Sequence, residues 1–105
     1  MDDAAVLLVD DEANILNALA RLFLDRDVRV VRAENGEEAL GIVRREPVAV
    51  VVSDNLMPGM RGVELLSQVR NLSPDTVRVL LTGYADLPTA IEAINRGEVF
   101  RFHVK

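Results

Sequence analysis

Val48-Ala49-Val50-Val51-Val52-Ser53-Asp54-Asn55-Leu56-Met57-Pro58-Gly59-Met60 carries the decisive pattern: five consecutive apolar residues run into a serine and an aspartate, then into a loop with proline and glycine. An unbroken apolar run of strand length is tolerated where helices cover both faces, as in parallel sheets. Val48 to Val52 is therefore expected to be a central strand, with Ser53-Asp54 at its carboxyl end. In open parallel sheets that edge is where ligands bind, because the ends of neighbouring strands converge there.

Working outward, short apolar runs alternate with stretches of helical period, the pattern of an α/β sheet. Strand 1 is expected at Ala5 to Val9 and helix 1 from Glu12 to Leu24, with Ile15, Leu16, Leu19, Leu22 and Phe23 on one face and Asp11 as its cap. Strand 2 is Val28 to Val31. Helix 2 runs from Gly36 to Arg45, opened by Asn35 with Glu38 three residues on as a capping box, and Pro47 ends it. Beyond the central strand, helix 3 spans Gly62 to Asn71 with Val63, Leu65, Leu66 and Val69 inward, and Ser73-Pro74-Asp75 turns the chain back. Strand 4 is Val77 to Leu81, followed by Thr82-Gly83. Asp86 caps helix 4, from Pro88 to Gly97, and strand 5 is Val99 to Val104, ending at Lys105. The order is βαβαβαβαβ without a closing helix, so the single domain, residues 1–105, is read as incomplete at its C-terminus, with one sheet face thinly covered.

The strand ends carry the chemistry: Asp10-Asp11, Asp54, Thr82 and Lys105, the only lysine. A carboxylate such as Asp54 can attack phosphorus when a divalent cation neutralises the charge between them. Asp10 and Asp11 supply the hard oxygen ligands that Mg²⁺ takes. Thr82 and Lys105 are donors suited to the charge that develops on the equatorial phosphoryl oxygens. Singly, each has a plainer role: Asp11 as a helix cap, Asp54 as a turn former, Thr82 as a β-former, Lys105 as solvated surface. Their joint occurrence at successive strand ends carries the reading. His103 has no partner at ligand spacing, and no phosphate-cradling glycine loop is present.

Composition narrows the class. Half of the 105 residues are hydrophobic and 4% aromatic, which implies an aliphatic core. A net charge of −5 argues against a nucleic-acid surface, which needs a basic stripe. The absence of cysteine removes disulfides and thiol chemistry and fits a reducing compartment. No apolar stretch has the length of a membrane span, and Asp2-Asp3 stand where a secretory signal carries positive charge, so a cytoplasmic location is expected.

Leu7-Leu8-Val9-Asp10-Asp11-Glu12, Ser53-Asp54-Asn55-Leu56-Met57-Pro58-Gly59-Met60, Leu81-Thr82-Gly83-Tyr84-Ala85 and Phe102-His103-Val104-Lys105 together resemble the receiver domain of two-component response regulators, over the whole chain. The resemblance implies a flavodoxin-like, doubly wound, five-stranded parallel sheet in the order 2-1-3-4-5, with the family's fifth helix absent. It implies Asp54 as phospho-acceptor, and Mg²⁺, or Mn²⁺ in its place, held by Asp11, Asp54 and the backbone carbonyl of Leu56 with Asp10 assisting. Thr82 and Lys105 would bind the phosphoryl oxygens. The implied donor is a phosphohistidine on a sensor histidine kinase or phosphotransfer protein, and the implied readout is a changed helix 4–strand 5 surface controlling a fused or separate output domain. Homodimerisation fits that picture, whereas direct nucleic-acid or membrane binding does not. Such a domain is a switch rather than an enzyme, catalysing only its own phosphorylation and dephosphorylation.

Two other readings compete. A phosphatase of the haloacid-dehalogenase type also uses an Asp nucleophile with Mg²⁺, but needs a second acid two residues on, where this chain has Leu56. A pseudo-receiver would keep the fold and switch without phosphate; the full set of five site residues counts against it.

Overall fold

Strand β3, Val48–Asp54, lies at the centre of the sheet in a computed structural model of the protein. The structure describes residues 4–83, 88, 91, 92 and 101–104. Its other strands are β1 (Ala5–Val9), β2 (Arg29–Ala33), β4 (Val77–Thr82) and β5 (Arg101–Val104), and its helices are α1 (Ala13–Arg21), α2 (Gly36–Arg45) and α3 (Gly62–Leu72). All pairings are parallel, in the order β2-β1-β3-β4-β5, as the resemblance implied. β1 leads outward to β2, and the chain then crosses back over β1 to form β3. With right-handed crossovers this reversal places α1 on one face and α2 with α3 on the other.

The two faces are unequally filled. On the α2–α3 face, Leu7, Val9, Val51, Leu65, Leu66, Val69 and Leu80 are all fully buried. On the α1 face, among the described residues, only Val6, Leu8 and Leu16 are buried, with Leu19, Phe23, Val30, Val50 and Val52 half-buried around them. Among the described residues the α1 face is thus the thinly covered one.

Local departures from expectation have local causes. Helix α1 stops at Arg21, and residues 22–25 continue as turns, leaving Leu22 and Leu24 at 67% and 77% exposure. Leu22 therefore does not join the inward face. Asp11 does not cap α1: Glu12 is the capping residue, in extended conformation, and its N–H donates to Asp10 Oδ1 at 2.9 Å. Strand β2 is shifted toward its C-terminus, reaching Ala33, whose carbonyl accepts the Asp10 N–H at 3.2 Å. Helix α2 keeps its expected bounds, and Asn35 Oδ1 accepts the Glu38 N–H at 2.8 Å. The return bond from Glu38 falls on the N–H of Glu34, not of Asn35. Strand β3 is central as expected, although Ala49 near its start is exposed. Pro88, Ile91 and Glu92 are helical, whereas Asp86 and most of the expected fourth helix lie outside the described residues, as do Val99, Phe100 and Lys105.

Candidate functional site

Strand register brings the singled-out residues together. Val9 pairs with Ser53, so Asp10 and Asp54 each follow a paired residue at the carboxyl edge of adjacent central strands. Asp54 pairs in turn with Leu81, placing Thr82 one residue beyond it. Carboxylate oxygens of Asp10, Asp11 and Asp54 all lie within 4.8 Å of one another. Asp10 is fully buried, Asp54 is 6% exposed, and Asp11 faces solvent. Thr82 is buried, and its hydroxyl donates to the Gly83 carbonyl at 3.2 Å. Val104 pairs with Thr82; Lys105, the next residue in sequence, lies outside the described residues, as does Tyr84.

Three negative charges at this separation repel one another, and the repulsion is screened least where the groups are buried. The arrangement is a set of hard oxygen donors without thiol or imidazole, which suits a divalent cation of the Mg²⁺ kind. Leu56, whose carbonyl was implicated only by resemblance, follows directly in the loop, with its side chain 58% exposed. Met57 is buried beneath that loop, and Gly59 turns it with φ +82°.

Two residues of this site were not anticipated from sequence. Ser53 is fully buried and its hydroxyl donates to the Asp54 carbonyl at 2.8 Å. Asn55, also fully buried, joins β3, β4 and α3: its N–H donates to Leu81 O at 3.1 Å, and its carbonyl and Oδ1 accept from Gly62 N–H at 3.0 Å and Val63 N–H at 3.2 Å. The signal available in sequence was an amide at the strand tip seven residues before a helix start, which means little until the loop is folded. Beside Asp11 a cleft of about 770 Å³ opens between the β2–α2 turn and the loop after β3, lined by Asp11, Glu34, Glu37 and Glu64 together with Pro58 and Met60. Its acidic lining extends the negative field of the site.

The family model for the response regulator receiver domain matches residues 6–102, nearly the whole chain and all of the described site. The chain is a response regulator receiver domain. Among curated proteins it is similar to the hydrogenase transcriptional regulatory protein HoxA of Cupriavidus necator, 38% identical over 97% of this chain and 21% of that protein. Among solved structures it resembles an adenylate cyclase from Rhodopirellula baltica, at 42% identity and a TM-score of 0.90, over 100% of this chain and 77% of that one. It also resembles the response regulator TrrA of Thermotoga maritima in complex with Mg²⁺ and BeF, at 30% identity and a TM-score of 0.84, over 97% of this chain and 86% of that one. The receiver chain thus spans about a fifth of the length of HoxA. Receiver domains are signalling switches rather than enzymes, and no helix among the described residues is long and apolar enough to cross a membrane.

Proposed function

We propose that Asp54 accepts a phosphoryl group from a phosphohistidine on a partner sensor kinase or phosphotransfer protein, with Asp10 and Asp11 holding the divalent cation that this transfer requires. The observation that carries this reading is the convergence of three carboxylates within 4.8 Å at adjoining strand ends, next to a buried threonine. Their fit to a hard cation supports Mg²⁺, with Mn²⁺ as substitute, and the Mg²⁺–BeF complex of the similar regulator TrrA supports the same assignment. When bound, the cation supplies positive charge between the attacking carboxylate and the phosphoryl oxygens.

The chain's own residues do the rest. Asp54 attacks phosphorus through a carboxylate oxygen, the P–N bond to the donor imidazole breaks, and the imidazole leaves with its bonding pair and takes up a proton. Its place at the end of a strand bonded on both sides holds Asp54 still during the attack, so little orientation has to be gained at the moment of reaction. Thr82 and Lys105 donate to the phosphoryl oxygens, Thr82 by turning its hydroxyl from the Gly83 carbonyl. Leu56 contributes its backbone carbonyl to the cation. In this reading the chain catalyses only its own phosphorylation and dephosphorylation.

The output is a shift between two packings of the β4–β5 side, driven by contacts that the acylphosphate makes in one packing and not in the other. An output module reads that surface, and the regulatory name of HoxA favours transcription as its destination. The test is intact-mass measurement after incubation with acetyl phosphate and Mg²⁺. A single phosphate-sized gain is expected for the wild type and none for Asp54→Asn. A gain that persists in Asp54→Asn removes Asp54 from this role, and release of many phosphates per chain points instead to a phosphatase.

A further inference from the structure

The seven residues 55–61 between β3 and α3 include the Leu56 carbonyl assigned above to the cation, yet a connecting loop is ordinarily the mobile part of a fold. Here both peptide planes that flank Asn55 are anchored. The plane between Asp54 and Asn55 is held at its N–H by Leu81 O, 3.1 Å away in β4, and at its carbonyl by the Ser53 hydroxyl, 2.8 Å away. The plane between Asn55 and Leu56 is held at its carbonyl by the Gly62 N–H, 3.0 Å away at the start of α3. With both planes fixed, the backbone angles at Asn55 are fixed as well, and with them the direction in which the chain sets out toward Leu56.

The Asn55 side chain ties this arrangement to α3. The first N–H groups of a helix have no partner within it, and Arg61 at the capping position has no acceptor in its side chain. Asn55 Oδ1 takes the Val63 N–H at 3.2 Å, so a residue eight positions upstream satisfies the helix start. The amide is fully buried, which makes loss of its acceptor more damaging than at a solvated cap. One side chain therefore joins the phospho-acceptor strand to the helix behind the loop.

We propose that Asn55 is a positioning residue that presents the Leu56 carbonyl and the Asp54 carboxylate to the divalent cation. The inference rests on the assignment of Asp54, Asp10 and Asp11 as the cation site and deepens it. Asn55 touches neither the cation nor the phosphoryl group in this account. Its effect is on where the ligands point, the role that hydrogen-bonded partners of metal ligands commonly play.

The test measures Mg²⁺ affinity by isothermal titration calorimetry at a temperature where far-UV circular dichroism reports a folded chain. Asn55→Leu keeps the volume and removes the acceptor; Val69→Ala, in the buried face of α3, weakens the packing of the same helix and leaves the clamp intact. The Kd for Mg²⁺ is expected to rise about tenfold in Asn55→Leu, in line with the loss of an outer partner of a metal ligand, while Val69→Ala stays within about twofold of wild type at an equal or larger drop in Tm. Asn55→Ser, too short to reach Val63, gives the same reading if the leucine variant does not fold. An unchanged Kd in the Asn55 variants overturns the proposal and leaves the cation site standing. A wild-type chain that binds no Mg²⁺ overturns both.

Discussion

Gly62 presses against Asp54: a β-carbon built on Gly62 would come within 2.3 Å of the Asp54 carbonyl oxygen and 2.9 Å of Leu80 Cδ1. The start of α3 therefore lies directly behind the backbone of the residue proposed to take the phosphoryl group. Backbone cannot retreat as the end of a flexible side chain can, so even one methyl group must move either α3 or the tip of β3. Gly62→Ala is expected to lower unfolding free energy by about 1–3 kcal/mol and to slow phosphoryl uptake in the fraction that remains folded. Urea denaturation followed by circular dichroism measures the first effect. A loss under about 0.5 kcal/mol, the usual range for harmless surface changes, would mean that the contact is slack.

Gly41 is the opposite case. It lies inside α2, and the nearest atom to a β-carbon there is Arg45 Nη1 at 3.6 Å, ordinary van der Waals distance. A helix-interior glycine carries an entropy penalty of about 0.5–1 kcal/mol relative to alanine, so Gly41→Ala is expected to stabilise the chain by about that amount. The same urea titration checks it, and a destabilised variant would show that α2 is packed more tightly than its surroundings indicate.

The Asp10, Asp11 and Asp54 cluster makes the apo fold hold like charges together, and a cation that binds only the folded chain stabilises it by mass action. At a Mg²⁺ concentration ten times its Kd the gain is about 1.4 kcal/mol, which raises Tm by several degrees in a domain of this size. Asp11→Asn should shrink the Mg²⁺-dependent rise while itself raising Tm in chelator, because it removes one of the mutually repelling charges. Differential scanning fluorimetry with Mg²⁺ and with chelator separates the two effects. A Tm that does not respond to millimolar Mg²⁺ in the wild type contradicts the cation site.

Thr82 offers a sharper chemical test, because its hydroxyl and its packing can be separated. Thr82→Ser keeps the donor and Thr82→Ala removes it from a side chain only 1% exposed. If the hydroxyl assists the developing charge, phosphoryl uptake from acetyl phosphate should fall about tenfold or more in the alanine variant, given what single oxyanion donors contribute, and stay near wild type in the serine variant. Quenched time courses read by intact mass distinguish them. Equal loss in both variants would assign Thr82 to packing alone.

Much of this architecture is legible from residues 48–54, because only a doubly covered strand accommodates that apolar run, and a central parallel strand implies the alternation around it. The convergence of Asp10, Asp11, Asp54 and Thr82 was legible for the same reason: strand ends meet at one edge whatever the loops do. What was not legible depends on contacts distant in sequence. Asn55 is an unremarked amide until Gly62 and Val63 fold back onto it. Leu22 fits the hydrophobic period of α1 and Leu24 closes the expected span, but the helix ends at Arg21 and the period says nothing about where it stops. Asp11 has the chemistry of a cap, yet the extended backbone of Glu12 moves the helix start one residue on and leaves Asp11 at the mouth of the acidic site.

Arg78 is the buried polar group with the least evident reason for being there. Its side chain is on the α3 face of β4 at 9% exposure, its Nη1 donates weakly to Thr76 O at 3.3 Å and Pro74 O at 3.5 Å, and its Nε has no partner among the described residues. Burial, and secondarily the nearby positive charge of Arg70, lowers its pKa. A base with a lowered folded pKa is charged less readily in the folded chain than in the unfolded one. The penalty is therefore present in full at neutral pH and is relieved only as pH rises through the folded pKa. Arg78→Met fills similar volume without the charge and is expected to stabilise the chain by about 1 kcal/mol, as replacing poorly compensated buried charge commonly does. Arg70→Gln should give a smaller gain in the same direction by removing the repulsion. Both follow from urea midpoints at pH 7. A destabilised Arg78→Met would reverse the argument and mean that the two carbonyl bonds outweigh the charge they leave uncompensated.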